Sequence, residues 1–335
     1  MKIWIDVRNF WNAYRNFFNE FLELFQEKNK NDFINIYKNK YSKNIFSEQV
    51  IFLQKLLQDK NDILISFEQT FPIFYKSRVI QIIPTLENIL FPDLSHTKFF
   101  KKYTSLFIIK NSLKKSHKII CFNTQTKNEL NEKLNISEEK IEVISPFFPS
   151  SPEISSKIDI KTKHCLTWDY IIYDSETGNN KNIKRFLEAV VETNKEIKLN
   201  IIFIWNKIAN DIETREFIIK LWLTEKTVFA WVPADNELWL YYKQSIWVIY
   251  PTIYDNFPFS LNNAINYNVP IISSDLDEIR NIFWDKINYF SPISIISIKK
   301  EILWLLKRQI NPNYKDILKK YSKDSFLDSL IFLIK

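Results

Sequence analysis

The chain has 335 residues, 46 Lys+Arg against 39 Asp+Glu, a formal net charge of +7 and 46% hydrophobic residues. That length exceeds what a single core usually serves, so two domains are expected. No run of about 18 apolar residues suggests a membrane span, and two cysteines, Cys121 and Cys165, supply neither a disulfide framework nor a zinc site.

Short β-branched runs alternate with longer helical patterns. KIWID (2–6) reads as a buried strand, and residues 12–27 place Phe17, Phe18, Phe21, Leu22 and Phe25 on one helical face. Strands are predicted at 62–66, 79–83, 118–122 and 140–144, with helices notably at 98–116 and 125–134. Residues 146–164, rich in Pro, Ser and Lys, lose the apolar period and read as a linker. The alternation restarts with strands at 169–173, 199–204, 228–230, 248–250 and 270–273. Helices are predicted at 181–194, 210–221, 234–244, 259–267 and 276–283, and one or two amphipathic helices at 313–334. Strands separated by helices imply parallel βαβ units and doubly wound sheets. The expected division is 1–150, a linker at 151–164, 165–312, and C-terminal helices at 313–335.

Charge is uneven. Residues 1–150 hold 22 Lys+Arg and 16 Asp+Glu, a net of +6, and the remainder holds 24 and 23, a net of +1. A basic first half suits an anionic acceptor, a membrane surface or nucleic acid. No nucleic-acid motif accompanies it, so nucleic acid is not expected as a partner and stands only as a remote alternative. Residues 98–118 mix bulky apolar residues with lysines, as interfacial helices do, although a core-facing helix explains them as well. The first residues lack the pattern of a secretion leader, and the scattered His96, His117 and His164 offer no metal-ligand spacing. A cytoplasmic protein is expected, with a peripheral contact at the inner membrane face compatible with the charge.

Glycine is nearly absent. Ordinary usage of about 7% predicts roughly 23 glycines in such a chain; there is one, Gly178, beside ten tryptophans.

Residues 227–292 carry the most specific pattern: VFAWVPADNELWLYYKQSIWVIYPTIYDNFPFSLNNAINYNVPIISSDLDEIRNIFWDKINYFSP. In order and spacing this stretch resembles the donor domain of the family-4-like glycosyltransferases ("glycosyl transferases group 1"), the glycogen-synthase and mannosyltransferase type. MKIWIDVRNFWNAYRNF is similar to that family's first strand and glycine-rich loop, and YIIYDSETGNNKNIKRFLEAV to the strand, loop and "K-N" helix opening its donor domain. The resemblance implies the GT-B fold: an α/β protein of two facing, doubly wound, parallel-sheet Rossmann-like domains, with a C-terminal helix crossing back. It further implies retaining, metal-independent transfer of a sugar from a nucleotide-diphosphate sugar, the donor substrate, to a glycan or lipid-linked acceptor, with no cofactor.

Carried over position by position, the resemblance places Asp255 and Asn263 where the family has two glutamates eight residues apart. It places Ser175, Lys181, Trp205, Trp231, Asn256, Phe257 and Pro258 around the donor, with the start of the helix near Pro258–Phe259 facing the diphosphate. On the acceptor side it places Arg8, Trp11, Arg15 and Pro84. Several family features are replaced: Asn263 has lost a charge, Ser175-Glu176 stands where "G-R" is usual, and Pro84-Thr85-Leu86 where "H-D-L" is usual. A catalytically impaired protein binding nucleotide or glycan is therefore the alternative reading.

The tryptophans also fit this register. Trp4, Trp231 and Trp284 fall where the family has a near-fixed glycine, and Trp11, Trp168, Trp205 and Trp222 at comparable corners. Such corners need positive φ or close backbone approach, which glycine supplies. Some bacteria read UGA as glycine while other codes read it as tryptophan, and glycine is the expected native residue.

Overall fold

Two six-stranded parallel sheets organise the chain. The structure, a computed structural model, describes residues 1–8, 15–37, 47–86, 99–151, 158–174, 179–204, 210–230, 235–308 and 310–335. Of Arg15, residues 99–105, Asn179, Asp235 and Asn236 only the backbone is described. The chain divides into Met1–Pro149 with Tyr321–Lys335, and Ser150–Lys320.

The first unit contains β1 (Lys2–Asp6), α1 (Arg15–Lys28), β2 (Phe33–Tyr37), α2 (Leu53–Asp59), β3 (Ile63–Ser66), β4 (Arg78–Ile83), α3 (Phe99–Lys115), β5 (Lys118–Cys121), α4 (Thr124–Leu134) and β6 (Ile141–Val143). Its sheet runs β2-β1-β3-β4-β5-β6. The inner strands are apolar on both faces, as a covered parallel sheet requires; every residue of β3 is buried. On α1, Phe17, Phe18, Phe21 and Phe25 are buried at helical spacing.

The last helix, α13 (Lys323–Ile334), belongs to this unit. Phe326 packs edge-on against Phe17 at 5.5 Å and Phe147 at 5.9 Å between ring centroids. The Arg78 guanidinium donates to the carbonyls of Leu333 and Ile334, both at 2.8 Å, placing a cation on the negative end of the helix dipole. The sequence expectation kept 313–335 together. The structure instead assigns α12 (Lys315–Lys320) to the second unit, where Tyr314, just before it, donates its hydroxyl to the Val269 carbonyl at 3.2 Å.

The second unit contains α5 (Ile160–Lys163), β7 (Tyr170–Tyr173), α6 (Ile183–Asn194), β8 (Asn200–Phe203), α7 (Ile212–Lys220), β9 (Thr227–Phe229), α8 (Asp235–Lys243) and β10 (Trp247–Tyr250). It continues through α9 (Asn262–Asn266), β11 (Ile271–Ser274), α10 (Asp277–Phe283), β12 (Asn288–Phe290) and α11 (Ile295–Leu305). Its sheet runs β12-β11-β10-β7-β8-β9. Counted within the unit and read from β9, this is the 3-2-1-4-5-6 order of dinucleotide-binding sheets. Its core gathers Phe186, Leu187 and Val190 of α6, Ile298 and Ile302 of α11, and the inward residues of β7, β8 and β10.

Candidate functional site

In an open parallel sheet the chain winds outward in both directions from one place, and the loops leaving the two strands there diverge to form a crevice at their carboxyl ends. In the second sheet that place lies between β7 and β10, which are paired in parallel, Ile171 to Trp247 and Tyr173 to Ile249. The loop leaving β7 reaches a 3-10 turn at Asn179–Lys181 and then α6. The loop leaving β10 carries Pro251 through Pro258.

These loops are knitted together. The Asn180 carbonyl accepts from Ile253 N–H at 2.7 Å and from the Thr252 hydroxyl at 3.0 Å, and Asn180 Nδ2 donates to the Tyr254 carbonyl at 3.3 Å. Asn180, Thr252 and Tyr254 are buried, so each bond stands where water offers little alternative. Asn182 takes the left-handed conformation at φ 57°, which asparagine tolerates, and binds the Pro292 carbonyl at 2.7 Å and Arg185 at 2.8 Å. The hydroxyl of Tyr173, the last residue of β7, holds the Lys181 carbonyl at 2.8 Å. Lys181 itself is half-buried.

On the β10 loop, Asp255 is half-buried and both carboxylate oxygens accept: Oδ2 from the Tyr250 hydroxyl, and Oδ1 from Phe257 N–H at 3.0 Å. Asn256, Phe257 and Pro258 are buried, and the Phe257 ring packs against Phe259 at 4.6 Å. Asn263 accepts from the Ser151 hydroxyl at 2.8 Å, and Asn262 Nδ2 donates to the same hydroxyl at 3.0 Å. The helix expected at 259–267 is shorter. A 3-10 turn spans Phe259–Leu261, and regular α-helix begins only at Asn262 and lasts five residues. So brief a helix sums few peptide dipoles, and the donor-side charge assigned to its start is correspondingly small.

Like Asn180 and Thr252, a further buried pair at this edge escaped the sequence reading. Asp174, directly after β7, is buried and accepts from the Tyr242 hydroxyl at 2.5 Å. Burial, reinforced by that carboxylate, pushes the Tyr242 phenol well above its ordinary value. The pairing joins strand β7 to α8, some 68 positions later in sequence, and no local pattern announces it.

In the first sheet the corresponding place lies between β1 and β3. Arg8 occupies it with none of its surface exposed. Its Nε and one terminal nitrogen bind Asp6 at 2.8 and 3.1 Å, and the same nitrogen binds the Thr70 carbonyl at 2.9 Å. Glu48 lies 3.4 Å from the other nitrogen, and the Phe52 ring faces the guanidinium at 4.2 Å. Burial works against the charge, but Asp6, with Glu48 and Glu68, outweighs it and holds the guanidinium above its ordinary value. Arg8, predicted on the acceptor side, thus closes a buried network. Pro84 follows β4, half-buried, beside Thr85, whose carbonyl accepts from Gln69 at 3.2 Å. Ser175, Trp205, Trp231 and Trp11 lie outside the described residues, and Arg15 opens α1 with its side chain outside them.

Residues 157–325, half of the chain, match the family described as Glycosyl transferases group 1. The chain belongs to that family. The O-antigen chain mannosyltransferase of Salmonella typhimurium is 24% identical over 205 residues, 60% of this chain and 53% of that protein. The chain thus spans about half the length of the curated relative it matches. Among solved structures, the Anabaena protein HepE in complex with UDP and glucose is similar, with TM-score 0.71 and 12% identity over 100% of this chain and 98% of that one. The sucrose-phosphate synthase of Thermosynechococcus elongatus has TM-score 0.71 and 11% identity over 100% and 98%. The family's fold is GT-B, and both sheets of this chain fit it: the matched region contains the whole β7–β12 sheet. No helix among the described residues is long and apolar enough to cross a membrane.

Proposed function

We propose that the protein transfers a sugar from a nucleotide-diphosphate sugar to a glycan or lipid-linked acceptor, with retention of anomeric configuration and without a metal ion. The observation that carries this reading is the knitted pair of loops at the β7/β10 edge. They bring Lys181 and Asp255, over 70 positions apart in sequence, onto the carboxyl ends of adjacent strands. A leaving diphosphate gains negative charge as the glycosidic bond breaks, so it needs a cation and preorganised N–H groups beside it. Lys181 fits the first need. Asp255 is assigned to the transferred sugar, and Asn263 to the ribose or phosphate region, where an amide offers hydrogen bonds without charge.

A specific observation supports a second reading, a nucleotide-binding protein without turnover. Both oxygens of Asp255 are already engaged, by Tyr250 at the end of β10 and by Phe257 in its own loop. A screen of common nucleotide-sugars for donor hydrolysis and for transfer distinguishes the two. Turnover of any donor supports the transferase; nucleoside-diphosphate binding with no turnover supports the second reading.

A further inference from the structure

Two tryptophans occupy backbone positions that glycine fills. Helix α7 ends in a Schellman motif: Trp222 N–H donates to the Ile219 carbonyl at 3.0 Å and Leu223 N–H to the Ile218 carbonyl at 3.1 Å. Leu223 and Ile218 are both buried, the hydrophobic contact that accompanies this motif. The residue between the two bonded turns must be left-handed, and Trp222 has φ 57°. Its indole is 90% exposed and gains nothing from the position.

At the end of α10 the departure is larger. Trp284 has φ 48° and ψ −116°, and Lys286 N–H closes the turn onto the Phe283 carbonyl at 2.9 Å. These are the dihedrals of the first central residue of a type II′ turn, the place where glycine stands. The left-handed region open to other residues has positive ψ. Of the seven non-glycine residues with positive φ among the described residues, three are asparagines, which tolerate it; Trp222 and Trp284 are the bulkiest. Lys320 lies 4.2 Å over the Trp284 ring, a contact made by the side chain that does not account for the backbone beneath it.

Composition points the same way: one glycine and ten tryptophans in 335 residues. We propose that positions 222 and 284 are glycine in the protein as its own cell makes it. The gene writes them as UGA, which the source organism reads as glycine, and the tryptophans are the same codon read by a different code. The backbone decides these two positions. Trp304 lies within α11 and Trp247 fills the core of the second unit, so there the codon alone decides. The inference rests on backbone geometry and composition and is independent of the transferase reading.

Digestion after lysine and arginine releases both positions in short peptides, LWLTEK (221–226) and NIFWDK (281–286). Mass spectrometry of the protein purified from its source organism is expected to find each peptide lighter by the difference between tryptophan and glycine, with UGA at both codons. Tryptophan masses, or UGG codons, would overturn the proposal. In recombinant protein carrying all ten tryptophans, Trp222→Gly and Trp284→Gly should each raise the unfolding temperature, while Trp304→Gly, inside a helix, should lower it. A fall for both turn variants would also overturn it.

Discussion

Thr252 shares its single hydroxyl proton between the Tyr254 carbonyl at 2.7 Å and the Asn180 carbonyl at 3.0 Å, holding the loop that follows β10 on the loop that follows β7. This buried hydroxyl, together with Ile253 N–H and Asn180 Nδ2, sets the spacing of two segments that share no sequence neighbourhood. Thr252→Val keeps the shape and removes that donor. Both carbonyls keep another donor, Ile253 N–H and Asn180 Nδ2, so the loss is that of a net hydrogen bond, about 0.5–1.5 kcal/mol. The variant should lose stability in this range by denaturant unfolding, and should bind nucleoside diphosphates more weakly than that loss alone explains, since the loops lose their register.

Asp255→Asn tests the sugar-side assignment. The amide retains the acceptor for Phe257 N–H and alters the partner of the Tyr250 hydroxyl. Nucleotide affinity should stay nearly unchanged while turnover of a matched donor falls at least tenfold, measured as product formed at saturating donor. Equal turnover in the two proteins would remove Asp255 from the chemistry.

The buried pair of the first unit has a structural signature. Arg8 is sealed from solvent, and Asp6 accepts from two of its nitrogens and from the Ser66 hydroxyl at 3.0 Å. Asp6→Ala leaves the buried cation with Glu48, at 3.4 Å, as its remaining close counter-charge, and the loss should be up to about 3–5 kcal/mol. Chemical denaturation checks this. A loss below about 1 kcal/mol would mean that Arg8 finds water or another anion.

The two thiols should behave differently. Burial pushes the Cys121 thiol up to about 12, whereas Cys165 is exposed. The thiolate is the reactive form, so a thiol reagent should label Cys165 in the native protein and Cys121 only on unfolding. Because the folded state holds the Cys121 proton more tightly than the unfolded state, its contribution to stability is whole below about pH 8.5 and is lost as pH rises towards 12.

The strands were legible where they are buried on both faces: KIWID, YIIY and VIY stand out as unbroken apolar runs, and β1, β7 and β10 follow them. The edge strands β2 and β12 were not, since FINIY and NYF are only partly buried and carry asparagine among their apolar residues, so neither shows an unbroken apolar run. α11 was also missed; its apolar residues are spread around the helix and blur a face. Within the site, Lys181 and Asp255 were visible through the family spacing. Asn180, Thr252, Asp174 and Tyr242 were not, because their roles arise from pairings across strands: Asn180 with Tyr254, and Asp174 with Tyr242. Arg8 was visible as a charge near the first loop, but only its neighbours Asp6 and Thr70 reveal that the charge is spent inside the fold.

The central claim is that the β7/β10 edge binds a nucleotide diphosphate through Lys181. Calorimetric titration with nucleoside diphosphates of the protein and of Lys181→Ala tests it most directly. The account predicts saturable binding of at least one of them, and a loss of about 1.5–3 kcal/mol in the variant, the range for a hydrogen bond to a charged group. Unchanged affinity in Lys181→Ala, or no binding of any nucleoside diphosphate by the chain carrying glycine at the ten tryptophan positions, would contradict it.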